Sequence, residues 1–466
     1  MSTAVVVGSG PNGLSAAIVL AQAGLDVTVV EAAETIGGGT RTEQLTRPGL
    51  LHDVCSAAHP TAQVSPYFRS LPLADHGLRW AHAEVEAVHL LDGGRAGVLH
   101  RDLEATAAGM GPDADRWRRL FGPLVGREDR IAEDVLGPIL GVPSHPTDLV
   151  RFAPRAVLPV SVLTRRWRSD EARSLMAAFA AHPVTPLDRP TTGGIAMLFG
   201  MLGHAGGWPV AVGGSAAITT ALAGVLGDLG GRIETGHRVR SLPDADLVLF
   251  DTDPAEAIAV AGSRVSGHVR RALSRWKHGP AAFKVDLAVD GGIPWTHPDA
   301  RRAGTLHLGG TFEQVHAAEV AVQAGRMPER PFVLLCQQYL ADPSRSVGDL
   351  HPVWAYAHVP YGWTGDATEA VLAQIERFAP GARERIVDVA VRTPADLAAD
   401  NPNYVGGDIT GGASTVVQTV LRPRPGLDPY RLGPGLWLCS SSTPPGGGVH
   451  GMAGFHAATR AVRSLR

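Results

Sequence analysis

The stretch AVVVGSGPNGLSAAIVLAQAGLDVTVVE, residues 4–31, decides the fold of this 466-residue chain. Its β-branched start, Val5–Val7, predicts a strand, and a glycine-rich loop follows at once. The small and aliphatic residues Leu14–Ala23 predict a helix that stops at Gly24, ahead of a second strand over Val27–Val30. Strand, loop, helix and strand in this order form a βαβ unit, so we predict an α/β fold with a parallel sheet.

The loop after the first strand has the spacing G-x-G-x-x-G, at Gly8, Gly10 and Gly13. Glycines at these places permit a tight turn, a close backbone approach to a pyrophosphate, and close packing of helix on strand. Glu31 ends the second strand 21 residues after Gly10, where an acid accepts hydrogen bonds from a ribose. The alternative is a glycine-rich turn that binds nothing. We predict a dinucleotide site, which also includes the loop residues Ser9, Pro11 and Asn12.

A second glycine run, within Ile36–Thr42, follows the acid closely. Together with the first motif, it resembles the flavoprotein group that contains phytoene desaturases and amine oxidases. The resemblance implies FAD as the cofactor, with Gly38 and Gly39 packed on its pyrophosphate. Many relatives carry an arginine directly after their glycine pair. Here Gly39 occupies that place, and the resemblance implies that Arg41 makes the phosphate contact instead.

Two later segments extend the resemblance, to phytoene-dehydrogenase-like FAD oxidoreductases, over essentially the whole chain. The first is predicted as a strand over Arg238–Leu242, and the resemblance places Val239 near the adenine. The second is rich in serine and glycine and precedes a C-terminal helix. The resemblance implies that the N-terminal amides of this helix point toward the flavin. It implies cofactor contacts from Ser442, Val449, His450 and Met452.

The resemblance also implies a Rossmann-like FAD-binding domain of the glutathione-reductase type that is discontinuous in sequence. We assign this domain to residues 1–70, 205–275 and 430–466. Residues 71–204 and 276–429 are expected to form a substrate domain with a mixed sheet and helices. Its predicted elements are a hairpin over Val85–Leu91 and Ala96–His100, strands over Ala281–Asp290, Thr305–Leu308, Phe332–Tyr339 and Val353–Val359, and a helix over Glu369–Phe378.

Charge and cysteine content argue against several classes of protein. Lys and Arg number 42 against 45 Asp and Glu, a net charge of −3, which disfavours a nucleic-acid partner. Cys55, Cys336 and Cys439 are widely spaced and predict neither a disulfide framework nor a zinc site. No histidine pair has metalloprotease spacing, and we assign no metal. The first residues lack the pattern of a signal peptide, so we expect a cytoplasmic protein.

The segment from Ala156 to Arg168 is ambiguous. Aliphatic residues in it precede Arg165, Arg166 and Arg168, a combination that suits peripheral contact with an anionic membrane. A solvated helix end beside a buried neighbour is the alternative. The sequence leaves the oligomeric state open.

Three functions are compatible with these features. The first is an FAD-dependent dehydrogenase or desaturase that orients an apolar, isoprenoid- or carotenoid-like substrate at the flavin, with oxygen or a quinone as electron acceptor. The second is amine oxidation, because Lys284 lies in a predicted strand similar to one in which amine oxidases carry a lysine; a Lys284–Asp286 surface pair is the alternative. The third is a lipid escort protein of the same architecture without FAD.

Candidate catalytic residues are Lys284 and His59. The resemblance implies that His59 and His450 flank the flavin, and histidine titrates near neutral pH, as a proton relay requires. Lys284 would hold a water near the flavin.

Overall fold

The computed structural model describes residues 2–138, 141–426 and 428–465. Its strands in chain order are β1 Thr3–Val7, β2 Asp26–Val30, β3 Thr42–Glu43, β4 His52–Asp53, β5 Trp80–Ala81, β6 Val85–Leu91, β7 Arg95–Leu99, β8 Val210–Ala211, β9 Arg232–Glu234, β10 Leu247–Phe250, β11 Ala281–Asp290, β12 Ala303–Leu308, β13 Val333–Cys336, β14 Leu350–Val359, β15 Ile386–Arg392, β16 Arg431–Gly433 and β17 Leu436–Leu438.

The helices connect and cover these strands. They are α1 Pro11–Gln22, α2 Pro60–Val64, α3 Pro66–Ser70, α4 Leu103–Ala108, α5 Ala114–Phe121, α6 Glu128–Val135, α7 Pro146–Ala156, α8 Val160–Leu163, α9 Asp170–Ala181, α10 Thr192–Ala205, α11 Ala216–Asp228, α12 Pro254–Ala261, α13 Gly267–Leu273, α14 Phe312–Gln323, α15 Thr368–Phe378, α16 Pro394–Asp400, α17 Val416–Leu421 and α18 Met452–Arg463. Within the described ranges, no helix combines the length and apolar character needed to cross a membrane.

A first sheet has the strand order β16-β17-β10-β1-β2-β9. The pairs β17–β10, β10–β1, β1–β2 and β2–β9 are parallel, and β16 is the antiparallel edge. The carboxyl ends of β1, β2 and β10 therefore meet at one edge of the sheet, where parallel α/β sheets bind their ligands. The predicted α/β fold with a Rossmann-like βαβ unit is confirmed.

Helix α18 returns the end of the chain to this edge and packs on α1. The two helices cross closely, since a Cβ on Gly454 would lie 1.9 Å from the carbonyl oxygen of Asn12. Only glycine permits this approach. The close crossing brings the N-terminus of α18 beside the N-terminus of α1.

A second sheet has the order β15-β11-β14-β13-β12-β6-β7, and it is mixed because β6 and β12 are parallel while its other pairs are antiparallel. Alternation along β11 puts Phe283, Val285 and Leu287 into a hydrophobic cluster on one face. Lys284 and Asp286 lie on the opposite face and are buried there as well. The hairpin, the strand Ala281–Asp290 and the helix over 369–378 are predicted correctly.

One predicted strand is wrong and another is too long. Arg238–Leu242 is irregular, because β9 takes the sheet edge and the chain then turns at Gly236, whose φ is +69°. The predicted strand Phe332–Tyr339 is shortened to β13, because the Gln337 side chain donates to the carbonyl oxygens of Ala300 and Ala303 at 2.9 Å each and draws the chain out of the sheet. The assignment of segments to an FAD-binding and a substrate domain stays a prediction.

Candidate active site

A cavity of about 930 Å³ runs from the carboxyl edge of the first sheet to the inner face of the second. This volume is near the upper end of the roughly 300–1,000 Å³ usual for small-molecule sites. We call its two ends the loop end, lined by the glycine loop and Glu31, and the aromatic end, lined by Phe152, His182, Phe199, Trp208, Trp354 and Tyr356.

The glycine loop packs against its own backbone and against β10. Gly8 has a φ of +101°, and a Cβ there would lie 2.8 Å from the carbonyl oxygen of Asp251. A Cβ on Gly13 would lie 2.1 Å from the carbonyl oxygen of Gly8. Side chains are thus excluded at both glycines. The loop from Gly8 to Asn12 lines the cavity, whereas Gly13 does not, because its role is in this packing.

Glu31 follows β2 and is held rigidly at the loop end. Its Oε2 accepts hydrogen bonds from the Ser9 amide (2.9 Å) and hydroxyl (2.6 Å), and its Oε1 accepts from the Ala33 amide (2.9 Å). Arg41 Nη2 lies 3.6 Å from Oε1 and also donates to the Thr35 carbonyl oxygen at 3.0 Å. Glu31, Gly38, Gly39 and Arg41 all line the cavity, and their contacts with a cofactor stay a prediction.

Asp251 is a site residue that the sequence reasoning missed. It directly follows β10, lines the cavity, and accepts a hydrogen bond on Oδ2 from the Gly13 amide at 2.8 Å. Burial and, to a smaller extent, the nearby Glu31 carboxylate raise the pKa of Asp251 to about 7, although the hydrogen bond from the Gly13 amide lowers it. The sequence shows an acid directly after a predicted strand, but not that this strand lies beside β1, which is what brings Asp251 to the glycine loop.

The remaining predicted cofactor residues divide into two groups. Val239, Val449 and His450 line the cavity. Ser442 and Met452 are buried beside it without lining it; the Ser442 hydroxyl is 2.7 Å from that of Ser440. His450 Nδ1 accepts from the Met452 amide at 3.1 Å, so its proton is on Nε2. Burial lowers the pKa of His450 to about 4.

His59 is buried and does not line the cavity. The Ser215 hydroxyl donates to the Ser56 carbonyl oxygen at 2.5 Å and accepts from His59 Nε2 at 2.9 Å. The Ser215 amide donates to Asp53 Oδ1 at 2.7 Å. Burial lowers the pKa of His59 to about 4. The structure thus places His59 in a hydrogen-bond network behind the wall, and its proton-relay role stays a prediction.

Lys284 is buried on β11 and forms an ion pair with Asp286. The alternative, a Lys284–Asp286 pair at the surface, is therefore correct in pairing these two residues and wrong in placing them at the surface. Lys284 Nζ lies 5.7 Å from the Trp354 ring centroid, and Trp354, not Lys284, lines the cavity. Asp286 Oδ1 is also 3.4 Å from His52 Nδ1. Burial lowers the pKa of Lys284, against the attraction of Asp286.

The aromatic end is built from side chains far apart in sequence. Phe152 comes from α7, Phe199 from α10, and Trp354 and Tyr356 from β14. Asp134 also lines this end, but its carboxylate accepts from the Ser144 amide at 2.6 Å and the His145 amide at 3.0 Å. Because no motif joins these residues, sequence patterns do not predict this arrangement.

The predicted membrane segment lies beside the aromatic end. Val157 lines the cavity and is 58% exposed, and Leu158 and Val162 are exposed as well. Arg165, Arg166 and Arg168 are exposed in the turn that follows α8. Contact of this surface with a membrane stays a prediction.

Comparison with known proteins agrees with this fold. A family model described as an NAD(P)-binding Rossmann-like domain matches residues 6–71. The pyridine nucleotide-disulfide oxidoreductase domain-containing protein 2 of Mus musculus is 24% identical, covering 99% of this chain and 94% of its own. A limonene dehydrogenase chain of Castellaniella defragrans is 33% identical over 25% of this chain and 22% of its own. A solved putrescine oxidase double mutant superposes with a TM-score of 0.63 at 18% identity, covering 100% of this chain and 98% of that one.

The fold is that of flavin-type oxidoreductases with a Rossmann dinucleotide-binding domain, as the sequence predicts. The loop end fits FAD: a Cβ on Gly38 would lie 3.2 Å from the Gly10 Cα, so two glycine elements present adjoining backbone to the cavity.

Proposed function

We propose that this protein is an FAD-dependent dehydrogenase or desaturase of the phytoene-dehydrogenase-like branch, acting on an apolar, isoprenoid- or carotenoid-like substrate. The observation that carries the proposal is the continuous cavity that joins the dinucleotide loop to an aromatic end. When bound, FAD supplies the oxidant and accepts a hydride equivalent from a substrate C–H bond.

The chain's own contribution is orientation and exclusion of water. Hydride transfer needs the reacting atoms about 3–3.5 Å apart, so an apolar wall that fixes the substrate supplies much of the rate. Trp354 and Tyr356 are buried and pack edge-on, with ring centroids 5.2 Å apart, which makes this wall rigid. Limonene, named in one relative, is an isoprenoid and agrees with this substrate class.

Amine oxidation is the second candidate, supported by the shared fold with putrescine oxidase. The structure offers it less support at the aromatic end, because the Asp134 carboxylate already accepts hydrogen bonds from two backbone amides, which partly offset its negative charge. Lys284 is paired with Asp286 and lies behind Trp354.

Anaerobic titration of the purified protein tests these functions. We expect a yellow protein whose oxidised-flavin absorbance is bleached by isoprenoid or carotenoid compounds, and restored by oxygen or a quinone. Bleaching by amines alone would replace the proposal with the amine-oxidase function. A colourless protein that binds lipid and takes up no added FAD would favour the lipid escort function.

A further inference from the structure

His182 is a polar side chain among the rings of the aromatic end. It follows α9 directly and lines the cavity. Its ring stacks on Phe199, with centroids 4.4 Å apart, and meets Trp208 edge-on at 5.6 Å. Its Nε2 lies 3.2 Å from Nε2 of the buried His307. Packing and this hydrogen bond fix the ring, and Nδ1 is the nitrogen left for a ligand.

Two neighbouring histidines show which protonation pattern this interior adopts. His89 Nε2 lies 2.6 Å from the Gly310 carbonyl oxygen, which can only accept, so Nε2 carries the proton. His358 Nδ1 lies 2.6 Å from Glu319 Oε1 and donates to that carboxylate. The second ring nitrogen of each histidine is buried without a partner among the described residues. In both rings the bonded nitrogen is the donor, and the unpartnered nitrogen is bare.

The same reasoning assigns the proton between His182 and His307. His307 Nδ1 is buried and finds no partner in the described part of the chain. A buried N–H without a partner costs more than a bare ring nitrogen, so His307 keeps its proton on Nε2 and donates it to His182 Nε2. Since His182 then accepts at Nε2, a neutral His182 must carry its proton on Nδ1.

We infer that His182 donates a hydrogen bond from Nδ1 to an acceptor oxygen of the substrate, so that the substrate is an apolar compound carrying a carbonyl group. This inference rests on the proposed function and narrows it, because a pure hydrocarbon would leave the donor unpartnered. An ammonium group also donates hydrogen bonds and does not match a donor. His182 belongs to no motif of the sequence.

The buried surroundings of His182 and His307 favour the neutral form of both rings. Burial lowers the pKa of His182 to about 3, and His358 contributes to the same direction. Burial also lowers the pKa of His307, with further contributions from His182, His89 and His358. At neutral pH the two rings therefore carry two N–H protons. One is on His307 Nε2 and is donated to His182 Nε2, and the other is on His182 Nδ1 and is available to a ligand in the cavity.

The first test reads the tautomer directly. In neutral imidazole the protonated and bare nitrogens have widely different 15N shifts, and the His182 signals are those lost in His182→Phe. We expect Nδ1 protonated in His182 and Nε2 protonated in His307 at pH 7. A proton on Nε2 of His182 would overturn the inference. This measurement requires neither substrate nor turnover.

The second test compares limonene with carvone, which has the same skeleton and one added carbonyl oxygen. We expect the holoenzyme to bind carvone tighter, by roughly fivefold to tenfold, the worth of one hydrogen bond. His182→Phe should abolish that preference, whereas Phe152→Leu, at a lining ring from α7, should weaken both ligands equally. A preference that survives in His182→Phe, equal affinities, or no carvone binding would overturn the inference.

These outcomes separate the inference from the proposed function. If the Nδ1 proton and the ketone preference are found but no isoprenoid bleaches the flavin, the proposed function fails and the binding role of His182 stands. If isoprenoid compounds bleach the flavin but the ketone binds no tighter than its hydrocarbon, or its preference survives in His182→Phe, the proposed function stands and the inference fails.

Discussion

The two ends of the cavity are built in opposite ways. At the loop end a short run of backbone, from Gly8 to Asn12, faces the cavity, and its shape depends on the absence of side chains at its glycines. At the aromatic end the surface consists of side chains from several helices and strands, and the backbone lies behind them. The loop end is therefore intolerant of atoms added to its glycines, while the aromatic end sets which ligand fits and depends on what supports its rings.

The largest expected effect is on the buried ion pair that lies behind Trp354 at the aromatic end. Lys284→Met leaves Asp286 as an unpaired buried charge next to His52, and removing one partner of a buried pair costs about 3–5 kcal/mol. We expect this loss in the free energy of unfolding, measured by urea denaturation. The double variant Lys284→Met/Asp286→Asn should recover most of it.

A Lys284→Met protein as stable as the parent would show that the ion pair does not support the wall behind Trp354. The double variant also tests the amine-oxidase function. Reoxidation of its reduced flavin by oxygen, followed by stopped flow, should match the parent if Lys284 is structural. A marked slowing would assign Lys284 the role of holding water near the flavin.

The next effect tests the loop end. A Cβ on Gly10 would lie 2.7 Å from Asp251 Oδ2, and a valine there also blocks backbone approach to a pyrophosphate. We expect Gly10→Val to weaken FAD binding roughly 100-fold, about 3 kcal/mol, as overpacking of a tight site does. The measurement is flavin content after dialysis and the Kd on adding FAD back.

Gly227→Val is the matched control, because Gly227 is exposed on α11 and a Cβ there meets nothing within 4 Å. It should retain FAD as the parent does. Full retention of FAD in Gly10→Val would show that this loop does not hold the pyrophosphate. Glu31→Ala should also lower flavin content, since it removes the predicted ribose acceptor and the partner of Ser9.

These two ends also differ in how far the sequence predicts them. The loop end is local: Gly8, Gly10, Gly13 and Glu31 lie within one βαβ unit, whose short connections fix their relative positions. Asp251 was missed because its place depends on which strand lies next to β1, which spacing alone does not give. The pairing of His182 with His307 joins the end of α9 to β12. It depends on how that helix packs on the second sheet, so no sequence pattern predicts it.

A smaller effect concerns the proton on Asp251. Its pKa is raised from 3.8 to about 7, so the folded state binds a proton that the unfolded state loses above about pH 4. Stability from this group is present at low pH and is lost as pH rises towards 7. Asp251→Asn keeps an acceptor for the Gly13 amide and removes the titration. Relative to the parent, its stability should grow by about 2 kcal/mol between pH 5 and pH 7.

Urea denaturation of the apoprotein at both pH values measures this difference. Asp244→Asn, at an exposed acid in the turn before β10, is the control and should show no such trend. A difference between Asp251→Asn and the parent that stays constant with pH would mean that Asp251 is ionised throughout. Its hydrogen bond from Gly13 would then dominate over burial.

The smallest expected effect lies outside the aromatic end, where Val157 and Leu158 are exposed near Arg165 and Arg166. If this surface rests on a membrane, its apolar side chains enter the interface and its arginines attract anionic headgroups, each contributing about 1 kcal/mol. We therefore expect the protein to sediment with phosphatidylserine-containing vesicles and not with neutral ones. Arg166→Gln should lower that partition about fivefold, whereas Arg264→Gln, at an exposed arginine that follows α12, should not. Equal partition of the two variants would show that this face is an ordinary solvated helix end, and that an apolar substrate enters from solution.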